Sequence, residues 1–249
     1  HTLPCLFALQ TGLVARWRAW GIKPDMVVGH SSGELATAHA AGILSTPDAA
    51  KVVHHRSRLQ ATQEGRGGIA AIALPRHEVE RRLTEWGMTN VDIAAVNGPA
   101  MVNIAGDNAA LHEVVAKLKE QHGEDLFARV LKVDFAPHCH HMDPLRSELL
   151  DVLRDVKAHA GQVPMISTVT GHLIAGQMAD AMYWWRNIRD PVNFDQGLRE
   201  ALKLGANVFV EIGPHANLAP MISGALAETG QSAVVVPSLK RDEPHDQAL

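Results

Sequence analysis

Gly29-His30-Ser31-Ser32-Gly33 places a serine between two glycines. An apolar run, Met26 to Val28, precedes it and reads as a short buried strand. A small-residue, alanine-rich stretch from Gly33 to Ala41 follows with helical character. Gly-x-Ser-x-Gly between strand and helix is the pattern of a nucleophile elbow, a sharp turn that leaves the serine hydroxyl exposed. Glycines on either side are expected where neighbouring chain passes close enough to clash with a side chain. The helix N-terminus, with its dipole and free N–H groups, favours a developing oxyanion. Ser31 is the candidate nucleophile. Ser32 points elsewhere on the turn and offers its backbone N–H as the candidate oxyanion donor. The bland alternative is a structural Gly-rich turn.

Two further groups could complete such a site. Ala49, Val52, Val53, Arg56 and Leu59 recur at steps of three and four, so Arg56 lies on the apolar side of a helix and Arg58 faces away. A guanidinium there costs several kcal/mol unless something pairs with it. It is a snorkelling or internally paired arginine, or a clamp offering a substrate carboxylate two parallel hydrogen bonds. His138, His140 and His141 fall within four residues and invite a metal reading. No ligand set with i,i+4 spacing and no acidic partner stands beside them in the chain, so no metal is assigned. A histidine acting as general base for Ser31 is the preferred reading, since imidazole is poised near neutral pH. Spacing alone does not choose among 15 histidines.

Positioning these groups requires an α/β scaffold. Leu3 to Trp20 reads as a buried helix, and Thr46-Pro47-Asp48 as the start of a helix running to about Gln63, with Thr46 as the capping hydroxyl. From Gly67 the order is strand (69–74), helix (75–86), strand (91–96), turn at Asn97-Gly98-Pro99, strand (101–105), helix around Leu111 to Leu118, and strand (127–133). That β-α-β-β-α-β order predicts an inserted ferredoxin-like subdomain of about 65 residues. Asp143-Pro144 opens a further helix, and Met165 to Val169 reads as a strand. Helices over 181–188, 194–204 and 218–227, with strands at 208–212 and 234–236, complete the larger body; the tail from Lys240 is expected to be exposed. The expected partition is residues 1–65 and 135–240 for the large part and 66–134 for the small one.

Composition narrows the class. A chain of 249 residues, 46% hydrophobic, can bury a substantial core. A formal charge of −4 provides no basic field for nucleic acid. Cys5 and Cys139 form neither a disulfide framework nor a zinc-ligand pattern, which points to a reducing cytoplasm. No apolar run reaches the roughly 18–20 residues of a membrane span. The chain opens on His1 and carries no signal peptide, so a piece of a longer protein is expected.

These residues resemble the acyltransferase domain of polyketide synthases and the malonyl-CoA:acyl-carrier-protein transacylases. Gly29-His30-Ser31-Ser32-Gly33-Glu34 is similar to that family's GHSxGE motif, and His55-Arg56-Ser57 to the stretch bearing its carboxylate-binding arginine. Ala95-Val96-Asn97-Gly98-Pro99 with Ile104-Ala105-Gly106-Asp107 matches its small-subdomain signature, and Val133 to His138 the segment with its catalytic histidine. Tyr183 to Ile188, Phe209 to His215 and Pro237-Ser238-Leu239 match later stretches.

The resemblance implies an α/β-hydrolase-like large subdomain with the ferredoxin-like insertion. It implies Ser31 as nucleophile, His138 as base oriented by backbone carbonyls, and Arg56 as carboxylate clamp. His30, Phe135, Pro137 and His215 are the implied substrate-binding positions, although His215 beneath its loop reads equally as packing. The family's Gly-Gln-Gly oxyanion segment would lie upstream of His1. Phe135-Ala136-Pro137-His138 matches neither the Tyr-Ala-Ser-His pattern of methylmalonyl selection nor the His-Ala-Phe-His pattern of malonyl.

No tightly bound cofactor is implied. Coenzyme A thioester is the implied substrate, and phosphopantetheine arrives on an acyl carrier protein, beside ketosynthase and other synthase domains. Two rival readings remain. One is an α/β-hydrolase-type esterase or thioesterase with His215 as base and Asp180 or Asp190 as acid; the other is a non-catalytic docking piece.

Overall fold

The computed structural model describes residues 2–240. Helix α1 (Thr2–Ala19) leads to strand β1 (Val27–Val28), helix α2 (Gly33–Ala40) and helix α3 (Thr46–Ala61). Next come β2 (Gly68–Ile72), α4 (Arg76–Glu85), β3 (Val91–Gly98), β4 (Met101–Gly106), α5 (Asn108–His122) and β5 (Ala128–Val130). A 3₁₀ segment (His140–Leu145) runs into α6 (Arg146–Leu153). Then follow β6 (Met165–Ile166), β7 (Leu173–Ile174), α7 (Ala181–Arg189), β8 (Val192–Asn193), α8 (Phe194–Lys203), β9 (Val208–Glu211), α9 (Ala219–Thr229) and β10 (Val234–Pro237).

The fold is α/β, an α/β-hydrolase-like body carrying a ferredoxin-like insertion. In the insertion the sheet order is β5-β2-β4-β3, with each of these neighbours antiparallel. Ile72, Val79, Val102, Ile104, Leu111, Val114 and Leu118 are almost fully buried and fuse α4, α5 and the sheet into one core. The alternation of β2, buried at Gly68, Ala70 and Ile72, is the period-2 signature of a strand with one covered face. β8, from the body, pairs in parallel with β3 through Ala95↔Val192 and Val96↔Asn193. The two parts therefore share a continuous sheet at the seam. In the body, β1 pairs in parallel with β6, and Leu35, Ile43, Leu59, Met142, Leu149 and Trp184 build a second core around α2, α3, α6 and α7.

Several sequence expectations change. The α1 helix forms but is not buried: among its residues only Leu13 is covered, Leu3 and Phe7 are half-buried against the core, and Leu9 is exposed, as is Trp20 beyond it. Ser45, not Thr46, caps α3, its hydroxyl accepting from the Asp48 N–H at 3.2 Å. That moves Pro47 to the second helical position, still within the turn that needs no N–H donor. Asp143-Pro144 lies inside the 3₁₀ segment, and α6 begins three residues after Asp143. Only Met165 and Ile166 of the expected 165–169 strand pair, because Ser167 to Gly171 turn back, Gly171 N donating to Ser167 O at 2.8 Å. β5 is three residues long, its edge ending at Val130. The expected exposed tail lies beyond the described residues except for Lys240, which is exposed.

Candidate active site

Ser31 sits between β1 and α2 with φ of 53°, a left-handed conformation uncommon for a side-chain-bearing residue. The sharp turn demands glycine on one side only. A Cβ at Gly29 would stand 2.6 Å from the Glu34 nitrogen and from Thr37 Oγ1, whereas at Gly33 the nearest atom, Gln10 Nε2, is 3.9 Å away. The expectation of crowding at both glycines thus holds for Gly29 and fails for Gly33. The N–H groups of Gly33 and Glu34 donate to the carbonyls of His30 (2.9 Å) and Ser31 (3.1 Å). Among the described residues the Ser32 N–H has no acceptor.

His138 reaches Ser31 across the body. Its Nε2 lies 2.7 Å from Ser31 Oγ, and its Nδ1 lies 2.9 Å from the carbonyl oxygen of Asp190. A carbonyl can only accept, so Nδ1 carries the proton and Nε2 is free to accept from the Ser31 hydroxyl. The backbone at His138 is also left-handed, φ 59°, and its N–H donates to Ile188 O at 2.9 Å. Burial pushes the His138 pKa down to about 3, with the Arg56 cation adding to the effect and the Asp190 carbonyl opposing it. The ring is neutral at physiological pH.

Arg56 is 2% exposed and meets the same hydroxyl: Nη2 donates to Ser31 Oγ at 3.1 Å. Its Nε donates to Gln60 Oε1 at 3.2 Å and its Nη1 to Asn187 Oδ1. Burial lowers its pKa to about 10, opposed by Glu34, so it stays charged near neutrality. Asn187 in turn donates through Nδ2 to Glu34 Oε2 at 2.7 Å and to Ser31 O at 3.2 Å. Glu34 is fully buried, accepting also from the Thr168 N–H (2.5 Å), Thr168 Oγ1 (3.1 Å) and Tyr183 OH (2.8 Å). Burial raises its pKa, and these hydrogen bonds work against the rise.

The other sequence candidates are placed as follows. His30 donates through Nε2 to Asn97 Oδ1 of β3 at 2.8 Å and packs edge-on against Phe194, ring centroids 5.1 Å apart. Pro137 is buried and Phe135 half-buried, immediately before His138. His215 is half-buried and makes no hydrogen bond to Ser31, His138 or Arg56; its Nδ1 is buried without a partner. Asp180 caps α7 by accepting the Tyr183 N–H at 2.8 Å, and the Asp190 carboxylate pairs with Arg186 at 2.8 Å. Neither carboxylate meets a histidine, so the Ser–acid–His215 arrangement of the hydrolase reading is not assembled. His140 and His141 turn away from Ser31 to Asp92 and Asp107, each at 2.8 Å.

Sequence reasoning gave no site role to Asn187, Gln60 or Asn97, and did not identify Asp190 as the residue whose carbonyl orients His138. Gln60 follows Arg56 by one helical turn, a readable signal. Nothing in the chain marks an asparagine 131 residues beyond Arg56 as its partner.

Fold and site together define the class: an α/β acyltransferase with an inserted ferredoxin-like subdomain. The chain belongs to the acyl transferase domain family, whose model matches residues 1–248. It is 41% identical over 241 residues to polyketide synthase GfsE of Streptomyces halstedii, covering 96% of this chain and 6% of that protein. It is 39% identical over 241 residues to erythronolide synthase EryA2 of Saccharopolyspora erythraea, covering 96% of this chain and 7% of that one. The chain thus spans a small fraction of the length of these curated relatives. Among solved structures, the acyltransferase domain from module 8 of the salinomycin polyketide synthase superposes with a TM-score of 0.93 at 37% identity, over 97% of this chain and 56% of that one. FabD from Acinetobacter baumannii gives 0.86 at 25% identity, over 99% and 79%. Among the described residues no helix is long and apolar enough to cross a membrane.

Proposed function

We propose that this chain moves a malonyl-type acyl unit from coenzyme A to the phosphopantetheine thiol of an acyl carrier protein, within a cytoplasmic polyketide synthase that also carries ketosynthase domains. One observation carries the reading: a single hydroxyl, Ser31 Oγ, is shared by the neutral Nε2 of His138 at 2.7 Å and the buried cation of Arg56 at 3.1 Å. An imidazole alone suits any acyl transfer; a buried guanidinium beside it suits an acyl group with a second carboxylate.

The chemistry follows in two halves. The Ser31 proton passes to His138 Nε2 as Oγ bonds to the thioester carbonyl carbon. The Ser32 N–H donates to the oxyanion, such a donor contributing roughly 2.7–4 kcal/mol. The C–S bond breaks, coenzyme A leaves with the proton held by His138, and an acyl-serine remains. The carrier thiol then gives its proton to His138 and attacks the ester, and Ser31 recovers its hydrogen as the C–O bond breaks. Arg56 has a second effect in this scheme. Burial is the main cause of the low His138 pKa and the Arg56 cation adds to it; a substrate carboxylate paired with Arg56 offsets only the cation's part.

His30, Phe135 and Pro137 belong to the proposed acyl pocket, His30 through its position beside Ser31; His215 is assigned to the pocket rim. The proposed partition is residues 1–65 and 135–240 for the body and 66–134 for the insertion, with β8 lent to the inserted sheet. The test is mass spectrometry of the acyl-enzyme after malonyl-CoA, followed by addition of holo-carrier protein. A malonyl adduct on Ser31 that moves to the carrier supports transfer. Free malonate with an unloaded carrier rejects it.

A further inference from the structure

His140 and His141 are not used by the chemistry above, although they lie two and three residues after His138. Their acidic partners come from the inserted subdomain and not from the adjacent Asp143, which pairs with Arg189 at 2.7 Å. His140 meets Asp92 of β3 twice, through Nδ1 at 2.8 Å and the backbone N–H at 2.9 Å, both to Oδ2. His141 Nε2 donates to Asp107 Oδ1 at 2.8 Å. Asp107 stands at the N-cap of α5 yet makes no capping bond; its second oxygen accepts from Asn90 Nδ2 at 3.0 Å instead. The two imidazoles meet edge-on, centroids 4.5 Å apart. One donor atom from each of Asp107, His140 and His141 lies within 4.8 Å of the others. Their side chains are 47%, 36% and 11% exposed, open to an aqueous ion.

We propose that Asp107, His140 and His141 form a binding site for a borderline divalent cation of the zinc class, bridging the inserted subdomain to the loop that carries His138. Two imidazoles and a carboxylate are the ligand types such ions take, with metal–ligand distances of about 2.0–2.2 Å, and water completes the shell. The ion replaces the proton that now lies between His141 Nε2 and Asp107 Oδ1. Asp92 holds the His140 ring through Nδ1, the carboxylate–histidine pairing that orients metal-binding imidazoles, and the other ring nitrogen is the one assigned to the ion in this proposal. Asn90 orients the Asp107 carboxylate in the same manner. Cys139, which could form an alternative set with Asp92 and His140, is fully buried with its Sγ donating to Ala136 O at 3.1 Å, so it is not counted as a ligand.

The test is titration of the whole chain with Co²⁺, read by visible absorption, with Zn²⁺ displacing it in calorimetry. One equivalent should bind with tetrahedral cobalt absorption. Asp107→Asn combined with His141→Ala should abolish the band, and Asp92→Asn should weaken affinity by about 10–100-fold. Unchanged circular dichroism must accompany each loss. His54 and His55, whose rings are 5.0 Å apart on α3, are the internal control: His54→Ala should leave binding unchanged. Absence of saturable one-equivalent binding, or a band that survives the double substitution or disappears with His54, overturns the site.

Discussion

Asn187 stands between Arg56 and Glu34, its carboxamide oxygen accepting from the guanidinium and its Nδ2 donating to the carboxylate at 2.7 Å. The same Nδ2 reaches the Ser31 carbonyl at 3.2 Å, so one side chain ties the cation, its buried counter-charge and the nucleophile turn together. Asn187→Ala leaves buried donors and acceptors unpaired, each at about 1–3 kcal/mol. The expected outcome is a lowered melting temperature and a fall in malonyl loading of tenfold or more, measured by denaturation and by acyl-enzyme kinetics. Wild-type stability in Asn187→Ala would show that the network contributes nothing.

Arg56→Ala separates the clamp from a purely structural arginine. A substrate carboxylate deprived of its partner loses about 2–5 kcal/mol. Malonyl loading should therefore drop far more than acetyl loading in kcat/KM. Equal losses on both acyl groups reject the clamp.

The two glycines of the elbow should respond differently to alanine. At Gly29 the new Cβ would meet backbone at 2.6 Å, so Gly29→Ala should destabilise by several kcal/mol or prevent folding. At Gly33 the site is open, and alanine in the first helical position should be neutral or stabilising by up to about 1 kcal/mol. Thermal melts of the pair decide it; comparable losses would contradict the geometry.

Ser31 holds φ at 53°. Ser31→Ala and Ser31→Gly both lack the hydroxyl and should both fail to load, but only glycine adopts this conformation without steric cost. The glycine variant should be more stable than the alanine variant by about 1 kcal/mol. A reversed order in denaturant unfolding would exclude stored strain at the elbow.

His138 ties stability to pH. Its folded pKa is about 3 against an ordinary 6.5. Between those values the unfolded chain binds a proton that the folded ring refuses, so stability is fully present above pH 6.5 and is lost as pH falls toward 3. Wild type should lose melting temperature on acidification more steeply than His138→Gln. The acid limb of acyl-enzyme formation should lie well below the ordinary histidine range. A limb near pH 6.5, or parallel melting curves, would place His138 in a solvated setting.

The elements with strong local signals were legible in the chain. Val102 and Ile104 alternate with Met101 and Asn103, and Leu111, Val114 and Leu118 repeat with helical period, so the insertion could be read in order. Its edges were less legible: β5 is a strand only over Ala128–Val130, with single hydrogen bonds from Leu131 N to Ile69 O and from Ala73 N to Phe127 O beyond its ends. The burial expected of α1 was misjudged because apolar spacing reports a potential face and says nothing of what covers it. Ser31 was legible because the elbow is local, and the inward position of Arg56 because helical period places it among buried neighbours.

Sequence alone determined the local geometry: which segment turns sharply at Ser31, which helix carries a cation on its apolar side, and the order of the inserted strands. Residue spacing did not choose among 15 histidines; the family resemblance implied His138 and a backbone-carbonyl partner. Only the tertiary structure set its Nε2 at 2.7 Å from Ser31, supplied Asp190 as that carbonyl, and placed Asn187 beside Arg56. It also brought Asp92 and Asp107 to His140 and His141, 48 and 34 residues away. The reason is physical. Periodicity and turn chemistry act over a few residues, whereas the partners of a buried polar group are set by whichever segments packing brings together.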